Sequence, residues 1–381
     1  MKNLTVSLVA CGALLSSSVA FGASTVDEAF KEGKVSGSLA LYGQKIDGKG
    51  LLDDGKGDSG YGNGNATVGF ETASLNGFTA KAEFKGNIKL GEVEHNDYNT
   101  GAPFENHSLM TEAYVKYTND AFFVSAGRQA IDLEWLADYN ESVVAGITAI
   151  PDTEIVLGWS QRKAESGIDL SEDFYDINDN KGVYVVDVKY TGFESVEFNP
   201  YAYSAPDAVD FYGLKTTFTA PEDVLGVVAH YAKSSVEEGY SDGDGNLYKD
   251  GSIGHVELST KIQDLTAAVG YIKADEDGGA GAMDVAGDNI SPLEDGNYVY
   301  SADAKTIYGS LGYTIADVEL GALYGETEFE QDFKEKELNL TAGYPFTESL
   351  AASILYGDVK ADKDYGDFDY NKVLASVEYT F

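Results

Sequence analysis

Apolar and polar residues alternate with a period of two along most of the chain. The segment FTAKAEFKGNIKL, residues 78–90, is the clearest example. Its apolar face holds Phe78, Ala80, Ala82, Phe84, Ile88 and Leu90, and its polar face holds Thr79, Lys81, Glu83, Lys85, Asn87 and Lys89. Successive side chains of a β-strand point to opposite faces, so this pattern predicts a strand with one apolar face.

The same alternation continues to the last residue. The chain ends on YNKVLASVEYTF, in which Val373, Ala375, Val377, Tyr379 and Phe381 share one face. A free terminus is normally polar and loosely held. An apolar strand that runs to the final residue therefore predicts a terminal strand that is paired along its whole length. Segments of this kind, counted along the chain, predict about eighteen strands.

Short and long connections alternate between these predicted strands. Short ones include SLNG at 74–77, PDT at 151–153 and PFTES at 345–349, whereas long ones lie near 91–108, 163–181 and 274–303. A transmembrane barrel sorts its loops in this way, with short periplasmic turns and long external loops. The fold class that we predict is all-β: a transmembrane antiparallel β-barrel of about 18 strands, whose last strand pairs with the first near Val35–Tyr42.

Aromatic residues collect at the ends of the predicted strands. Downward strands finish on Tyr117, Tyr190, Phe218, Tyr313, Tyr344 and Tyr379, and upward strands finish on Tyr231, Tyr271, Tyr324 and Tyr356. Such rings form the interfacial girdles of membrane barrels. The alternative is scattered surface tyrosine on a soluble β-protein.

The first residues have the composition of a secretory signal peptide. A short basic head that contains Lys2 precedes an apolar, small-residue run, and cleavage within about 20–23 satisfies the small-residue rule. We predict a signal peptide over 1–23, a periplasmic segment over 24–34 and a transmembrane barrel over 35–381. The one cysteine, Cys11, falls within the signal, so no disulfide is predicted for the mature chain.

The net charge excludes one class of partner. The formal net charge is −38, and nucleic-acid binding needs a basic surface instead. Glycine (43 residues) and tyrosine (26 residues) are abundant, which suits strands and turns.

Three segments carry a resemblance to a known family. VDEAFKEGKVSGSLALYGQ, SAGRQAIDLEWLADYNESVVAG and the terminal VEYTF together resemble the Opr-type (OprD-like) outer-membrane porins. The resemblance implies an eighteen-stranded pore for small hydrophilic solutes, with a third external loop folded into the lumen. It also implies that Tyr379 and Phe381 form the signal that the outer-membrane assembly machinery reads. The chain has two arginines, Arg128 and Arg162, and so departs from the lumenal arginine ladder of relatives that carry anions.

The segment IDLEWLADY, residues 131–139, is the candidate for that inward loop. Ile131 and Trp135 fall at helical spacing, so a short helical turn is expected to pack Trp135 on the barrel wall. The predicted pore constriction comprises Arg128, Asp132, Glu134, Trp135 and Asp138. Arg128 shares strand parity with lipid-facing residues, so either a bulge turns it inward or it lies above the bilayer. The alternative for the whole segment is an ordinary external loop.

Strand parity places a set of charged side chains on the lumen face. The predicted lumen-lining residues are Lys81, Glu83, Lys85, Lys89, Glu112 and Lys116. Opposite charges facing one lumen suit water and small ions, although a charged residue at any one of these positions is more often simply a solvated part of the barrel wall.

Catalytic and metal-binding signals are weak. The four histidines are scattered along the chain, and none neighbours a serine or a carboxylate in a recognisable arrangement, so no enzymatic activity is predicted. The weak metal candidate is SDGDGNLYKDG, with Asp242, Asp244, Asn246 and Asp250, but it lacks the sixth-position glycine and the twelfth-position glutamate of an EF-hand. We predict no cofactor and no resident metal.

Two functions remain open from the sequence. One is an integral outer-membrane porin for passive diffusion of ions and small hydrophilic solutes. It is expected to be mildly cation-preferring because Asp132, Glu134 and Asp138 outnumber Arg128 at the narrowest point, with a smaller effect from acidic loops such as 274–303. The other is a structural or adhesive barrel whose acidic loops bind a partner. The expected partners are outer-membrane lipid and lipopolysaccharide, the assembly machinery and small solutes, with a possible homotrimer.

Overall fold

A single antiparallel sheet closes on itself in this computed structural model. The structure describes residues 22–49, 58–98, 104–241, 247–287, 289–330, 333–362 and 369–381. Within these ranges, the helices are too short or too polar to cross a bilayer. Three of the weak metal candidates, Asp242, Asp244 and Asn246, lie outside the described residues, as do residues 1–21 of the predicted signal peptide.

Among the described residues, one helix precedes the sheet and nineteen strands follow it. The helix α1 spans Val26–Lys31. The strands are β1 (Lys34–Lys49), β2 (Asp58–Glu71), β3 (Phe78–Glu92), β4 (Ser108–Thr118), β5 (Phe122–Leu133), β6 (Leu136–Ile147), β7 (Thr153–Ala164), β8 (Tyr175–Asp176), β9 (Val183–Phe193), β10 (Val196–Ala205), β11 (Val209–Thr219), β12 (Gly226–Val236), β13 (Gly251–Ile262), β14 (Leu265–Ala274), β15 (Lys305–Ile315), β16 (Val318–Phe329), β17 (Phe333–Pro345), β18 (Leu350–Ala361) and β19 (Asp369–Thr380). Short 3-10 helices span Pro221–Asp223 and Gly281–Val285.

Eighteen of these strands form a closed antiparallel barrel, as the alternation predicts. The extra strand, β8, is a two-residue strand that pairs with β7 above the wall, while β7 pairs directly with β9. The closing pair is β1 with β19, in register from Ser38 opposite Thr380 to Lys49 opposite Asp369. The backbone of Phe381 both donates to and accepts from Gly37 at 3.0 Å, so the last residue is paired as predicted.

The outer face of the barrel carries the apolar side chains. Exposed residues on this face include Val68, Phe84, Val115, Val143, Leu157, Val186, Leu214, Val256, Val269, Leu311, Leu340, Ile354 and Val377. Exposed tyrosines bound this band at the external side, and they include Tyr212, Tyr231, Tyr271, Tyr324 and Tyr356. At the short-turn side, paired rings such as Phe78–Tyr117 (4.8 Å) and Tyr344–Phe346 (5.0 Å) form the second girdle. The predicted girdles are therefore present.

The helix α1 was not predicted from the sequence. Thr25 caps it by accepting from Glu28 N at 3.2 Å, and Glu28 reaches back to accept from Ser24 N at 2.8 Å. These reciprocal bonds are a capping box shifted by one residue. Phe30 stacks on Phe70 of β2 with ring centroids 6.0 Å apart, so the helix is held against the periplasmic end of the wall.

An apolar core lies inside the barrel, on the side of β9–β16. Its fully buried members include Trp135, Phe211, Ile253, Ile272, Met283, Leu293 and Phe329. These residues come from the wall strands, from the tip of β5–β6 and from the loop between β14 and β15. One side of the lumen is therefore filled with packed side chains, and any solute path must run beside this core.

Candidate functional site

Three segments of the described chain leave the wall and enter the lumen. The first is the distal part of β5 and β6, residues 129–140, which we call the inner hairpin. β5 pairs with β4 only as far as Arg128 opposite Ala113, whereas it pairs with β6 up to Leu133 opposite Leu136. The predicted helical turn over 131–139 is therefore wrong, because both arms stay extended and meet in a tight turn at Glu134 and Trp135.

The inner hairpin leaves the barrel wall at Gly127. Its φ is +129°, and a Cβ placed there would lie 2.2 Å from the carbonyl oxygen of Ala113. Only glycine accepts both the conformation and the close approach. The pairing of β4 with β5 continues through Gly127 and Arg128 without a register slip. The left-handed glycine, and not an inserted bulge residue, thus accompanies the separation of the two strands.

Arg128 lies at the base of the inner hairpin. Its Nε donates to Glu141 Oε1 at 2.8 Å, and one terminal nitrogen donates to the Met110 carbonyl at 3.0 Å. The guanidinium also covers the ring of Phe174 at 4.2 Å. Arg162 approaches the same Glu141 carboxylate at 3.3 Å. Both arginines of the chain therefore hold one carboxylate at the hairpin base.

The tip of the inner hairpin is anchored on the inner wall at β10 and β11. Trp135 is fully buried, and its indole Nε1 donates to the Tyr201 hydroxyl at 2.8 Å. Its ring contacts Phe211 edge-to-face at 5.7 Å. Tyr201 belongs to β10 and Phe211 to β11, and both side chains face the lumen. Trp135 thus packs on the barrel wall as expected, although it does so from a strand turn.

Two of the predicted hairpin carboxylates, Glu134 and Asp138, have ion-pair partners. Glu134 accepts from Lys215 Nζ at 2.9 and 3.0 Å. Burial raises the pKa of Glu134, while Lys215 opposes that rise. Asp138 lies 3.2 Å from Lys163 Nζ. Asp132 is half-buried on the β5 arm and is also engaged by a neighbour.

The second inward segment is residues 165–173, which we call the crossing loop. Four consecutive backbone carbonyls of this loop accept hydrogen bonds from lumen-facing side chains of β2 and β3. The donors are Lys85 to Ser166 (2.5 Å), Asn65 to Gly167 (3.5 Å), Asn63 to Ile168 (2.8 Å) and Tyr61 to Asp169 (2.6 Å). The loop is therefore docked on the inner wall four strands away from β7, where it begins.

The third inward segment belongs to the loop between β14 and β15, residues 275–304, which we call the long loop. Glu337 of β17 accepts from the backbone N–H of Asp295 at 3.0 Å and of Gly296 at 2.9 Å. Lys372 of β19 lies 3.3 Å from Glu294 and 2.9 Å from Asp295. This loop also contacts the inner hairpin, because Asn289 donates to the Leu133 carbonyl at 2.9 Å.

Solved structures share this architecture. The Acinetobacter baumannii channel OccAB1 matches with a TM-score of 0.77 and 14% identity over 96% of this chain and 99% of that one. Pseudomonas aeruginosa OccK3 (OpdO) matches with a TM-score of 0.73 and 12% identity over 93% of this chain and 97% of that one. The structure of P. aeruginosa OpdK with vanillate matches with a TM-score of 0.71 and 14% identity over 92% of this chain and 99% of that one. The chain has the fold of the OprD-like channels.

No protein-family model matches the chain, and neither does any curated protein. The resemblance read from the sequence is thus confirmed at the level of the fold. A closed OprD-like barrel with an outward apolar band is an integral outer-membrane structure.

Within this OprD-like barrel, the predicted lumen-lining residues contact either carboxylates or aromatic rings. Lys81 lies 3.5 Å from Glu83 and also contacts Glu112, near the hairpin. Lys85 covers the ring of Tyr139 at 4.7 Å, and Lys116 covers Phe123 at the same distance. Lys89 is more exposed and pairs with Glu92 at 3.3 Å. Most of these charges therefore already have partners on the wall or on the inner hairpin.

The crossing loop contributes carboxylates that sequence reasoning missed. The side chain of Glu165 is accessible to lumen water, and Asp169 is half-buried. Burial within the barrel, and then the nearby carboxylates of Asp138 and Asp169, raise the pKa of Glu165 to about 7. Burial and the neighbouring Glu294 also raise the pKa of Asp169. The sequence signal was present only as an acid-rich connection near 163–181.

Among the described residues, no group of three or more His, Cys, Asp or Glu side chains has metal-binding geometry. Asp250 of the weak candidate instead accepts from Val236 N at 2.7 Å. Tyr379 and Phe381 are exposed on the outer face with ring centroids 6.2 Å apart.

Proposed function

We propose that this protein is an outer-membrane porin for passive diffusion of ions and small hydrophilic solutes. The observation that carries the proposal is the docking of three lumen segments by specific hydrogen bonds and ion pairs. Loops that are held in this way give the pore a defined cross-section, whereas unanchored loops would let that cross-section fluctuate.

We propose further that the pore is mildly cation-preferring. The constriction comprises the inner hairpin with Arg128, Asp132, Glu134, Trp135 and Asp138. Arg128 and Trp135 hold this hairpin in place, and its carboxylates face an acidic crossing loop. The formal net charge of −38 supports the same preference, because negative mouths concentrate cations within about 10 Å at 0.1 M salt.

Carboxylate solutes are not part of the proposal. The OpdK structure contains vanillate, which is a carboxylate. In this chain both guanidinium groups are engaged on Glu141, so neither is free to receive a solute carboxylate by bidentate pairing.

A structural or adhesive barrel is the second candidate. It is favoured by the apolar core that fills the lumen beside β9–β16, because a filled lumen conducts poorly and leaves the external acidic loops as the functional surface. The assembly machinery and a homotrimer remain proposed partners for either function, and crosslinking in detergent tests the trimer.

Planar-bilayer recording of the purified, refolded protein tests the porin proposal. We expect discrete conductance steps in KCl. In a tenfold KCl gradient, we expect a reversal potential displaced toward the equilibrium potential of K⁺, which indicates cation preference. A control without protein sets the baseline. Correctly folded protein, verified by a heat-dependent shift in gel mobility, that inserts without conductance would support the adhesive barrel instead.

A further inference from the structure

The outward face of the barrel becomes charged above its external aromatic girdle. On β14, β16 and β18 the girdle residues are Tyr271, Tyr324 and Tyr356, and all three rings are exposed. The next position on the same face lies about 7 Å further along each strand. From that level upward, the outward charged residues of β14–β18 are Lys273, Lys305, Glu326, Glu328, Lys334, Lys336, Asp358 and Lys360.

Strand register places lysines of this belt directly opposite one another. Lys273 of β14 pairs with Lys305 of β15, and Lys336 of β17 pairs with Lys360 of β18. Like charges in opposite positions destabilise a sheet, and an anion that contacts both ammonium groups removes the repulsion. The first pair has such an anion, because the Asp303 carboxylate lies 4.0 Å from Lys273 Nζ and 3.3 Å from Lys305 Nζ.

The second lysine pair has no shared carboxylate of this kind. Lys336 lies 3.7 Å from Glu326, and Lys360 lies 2.9 Å from Asp358, so each lysine contacts a carboxylate of its own. The side chains of the two lysines are 50% and 58% exposed. Exposed ion pairs are weak, and an ammonium group has three N–H donors, of which one such contact does not use all. Lys336 and Lys360 can therefore receive a further anion between them.

The depth of this pair indicates which anion it meets. Lys360 follows the girdle residue Tyr356 by four residues on β18, so its ammonium lies just outside the hydrocarbon layer. The long loops mark this end of the barrel as the external one. Anionic headgroups attract basic side chains at this depth, and the phosphate groups of lipopolysaccharide lie in the external leaflet.

We propose that Lys336 and Lys360 bind a phosphate group of lipopolysaccharide, with Lys334 on the same face of β17 adding to the positive charge. Charge complementarity carries the proposal, because two opposed ammonium groups match one phosphate with more than one negative charge. The surface lies on the outside of the barrel, so the proposal depends on the outer-membrane location and not on whether the lumen conducts.

Titration of the folded, full-length protein in detergent with purified lipopolysaccharide tests the proposal. Binding is followed by the temperature of the heat-dependent shift in gel mobility, which the lipid should raise. In K336Q/K360Q we expect the half-saturating concentration of lipopolysaccharide to increase about tenfold. The matched control is K181Q/K249Q, which removes two exposed lysines that pair with Asp207 and Asp277 in external loops and should stay within twofold of wild type.

The chemical identity of the ligand is tested with two further lipids. Enzymatically dephosphorylated lipopolysaccharide should bind wild type and K336Q/K360Q equally weakly, because the phosphate is then missing. Equal half-saturation of wild type and K336Q/K360Q by the intact lipid would overturn the proposal. Equally tight binding of wild type to phosphatidylglycerol would also overturn it, since the surface would then be a general anionic-lipid contact. If the double variant does not fold, K336Q and K360Q are measured singly, and an unchanged half-saturation in both counts against the site.

Discussion

Arg128 donates its Nε–H to Glu141 Oε1 at 2.8 Å, and this contact joins β5 to β6 where the inner hairpin leaves the wall. We predict that R128Q loosens the hairpin base, because the Phe174 ring contact and a charge-assisted hydrogen bond are lost together. The expected loss of unfolding free energy is roughly 1–2 kcal/mol. Heat-dependent gel mobility at increasing temperature measures it, and R128K should recover only part of the loss.

Trp135 should be the strongest single anchor of the hairpin tip. W135A removes a fully buried indole, so we expect a loss of about 3–5 kcal/mol and a larger, noisier single-channel conductance. W135F keeps most of the packing and loses only the hydrogen bond to Tyr201, which costs about 1 kcal/mol. Equal conductance noise in W135A and wild type would contradict an anchored tip.

Gly127 is predicted to reject any side chain. In G127A the new Cβ meets the Ala113 carbonyl at 2.2 Å in a conformation with φ of +129°, so the strand pairing must shift. We expect reduced amounts of folded barrel in outer-membrane fractions. Gly91 is the matched control, because an added Cβ there meets nothing within 4 Å and G91A should fold normally.

The cation preference should depend on pH through Glu165. A carboxyl group whose pKa is raised to about 7 is mostly neutral below that value and negative above it. The groups that face it are Lys163 from β7, Asp138 from the inner hairpin, and Asp169 and Glu172 from its own loop. The reversal potential should therefore move toward cations from about pH 5.5 to about pH 8.5, and this change should be much smaller in E165Q.

Phe381 closes the barrel and should be required for assembly. Its backbone makes two hydrogen bonds to Gly37, each 3.0 Å long, and its ring stacks with Tyr379. Deletion of Phe381 removes both bonds and the outward ring, so we expect the protein to be exported but to accumulate outside the outer-membrane fraction. Replacement by another aromatic residue, F381Y, keeps both features and serves as the control.

The barrel could be predicted from sequence because its signals are local. Alternation along a strand such as 78–90 and the alternation of loop lengths follow from lipid on one side and water on the other. Closure between β1 and β19 follows from the need to pair every backbone group.

The inner hairpin was predicted with the wrong secondary structure. Ile131 and Trp135 are four residues apart, which matches a helix, but Ile131, Leu133 and Trp135 also match a strand. Contacts between residues that are distant in sequence, such as Trp135 with Tyr201, decide between helix and strand here. The local spacing of residues carries no information about such contacts.

The docking of the crossing loop could not be predicted for a related reason. Its partners on β2 and β3 donate to backbone carbonyls, and every residue has such a carbonyl. No residue type in 165–173 therefore marks the contact. Only the donors, such as Asn63 and Lys85, are visible in the sequence, and they are indistinguishable there from ordinary lumen-lining side chains.

The same backbone docking has a consequence for how such a pore can change. Because the wall holds the carbonyls of Ser166–Asp169, the position of this segment does not depend on the exposed Glu165 side chain beside it. Ser166 is buried and Ile168 packs on an aromatic cluster, so these two positions are fixed, whereas replacement of Glu165 can alter the charge of the passage while the segment stays in place. The barrel thus separates the part that positions the filter from the part that determines what it admits, so that new solute preferences are reachable through single replacements in one short segment.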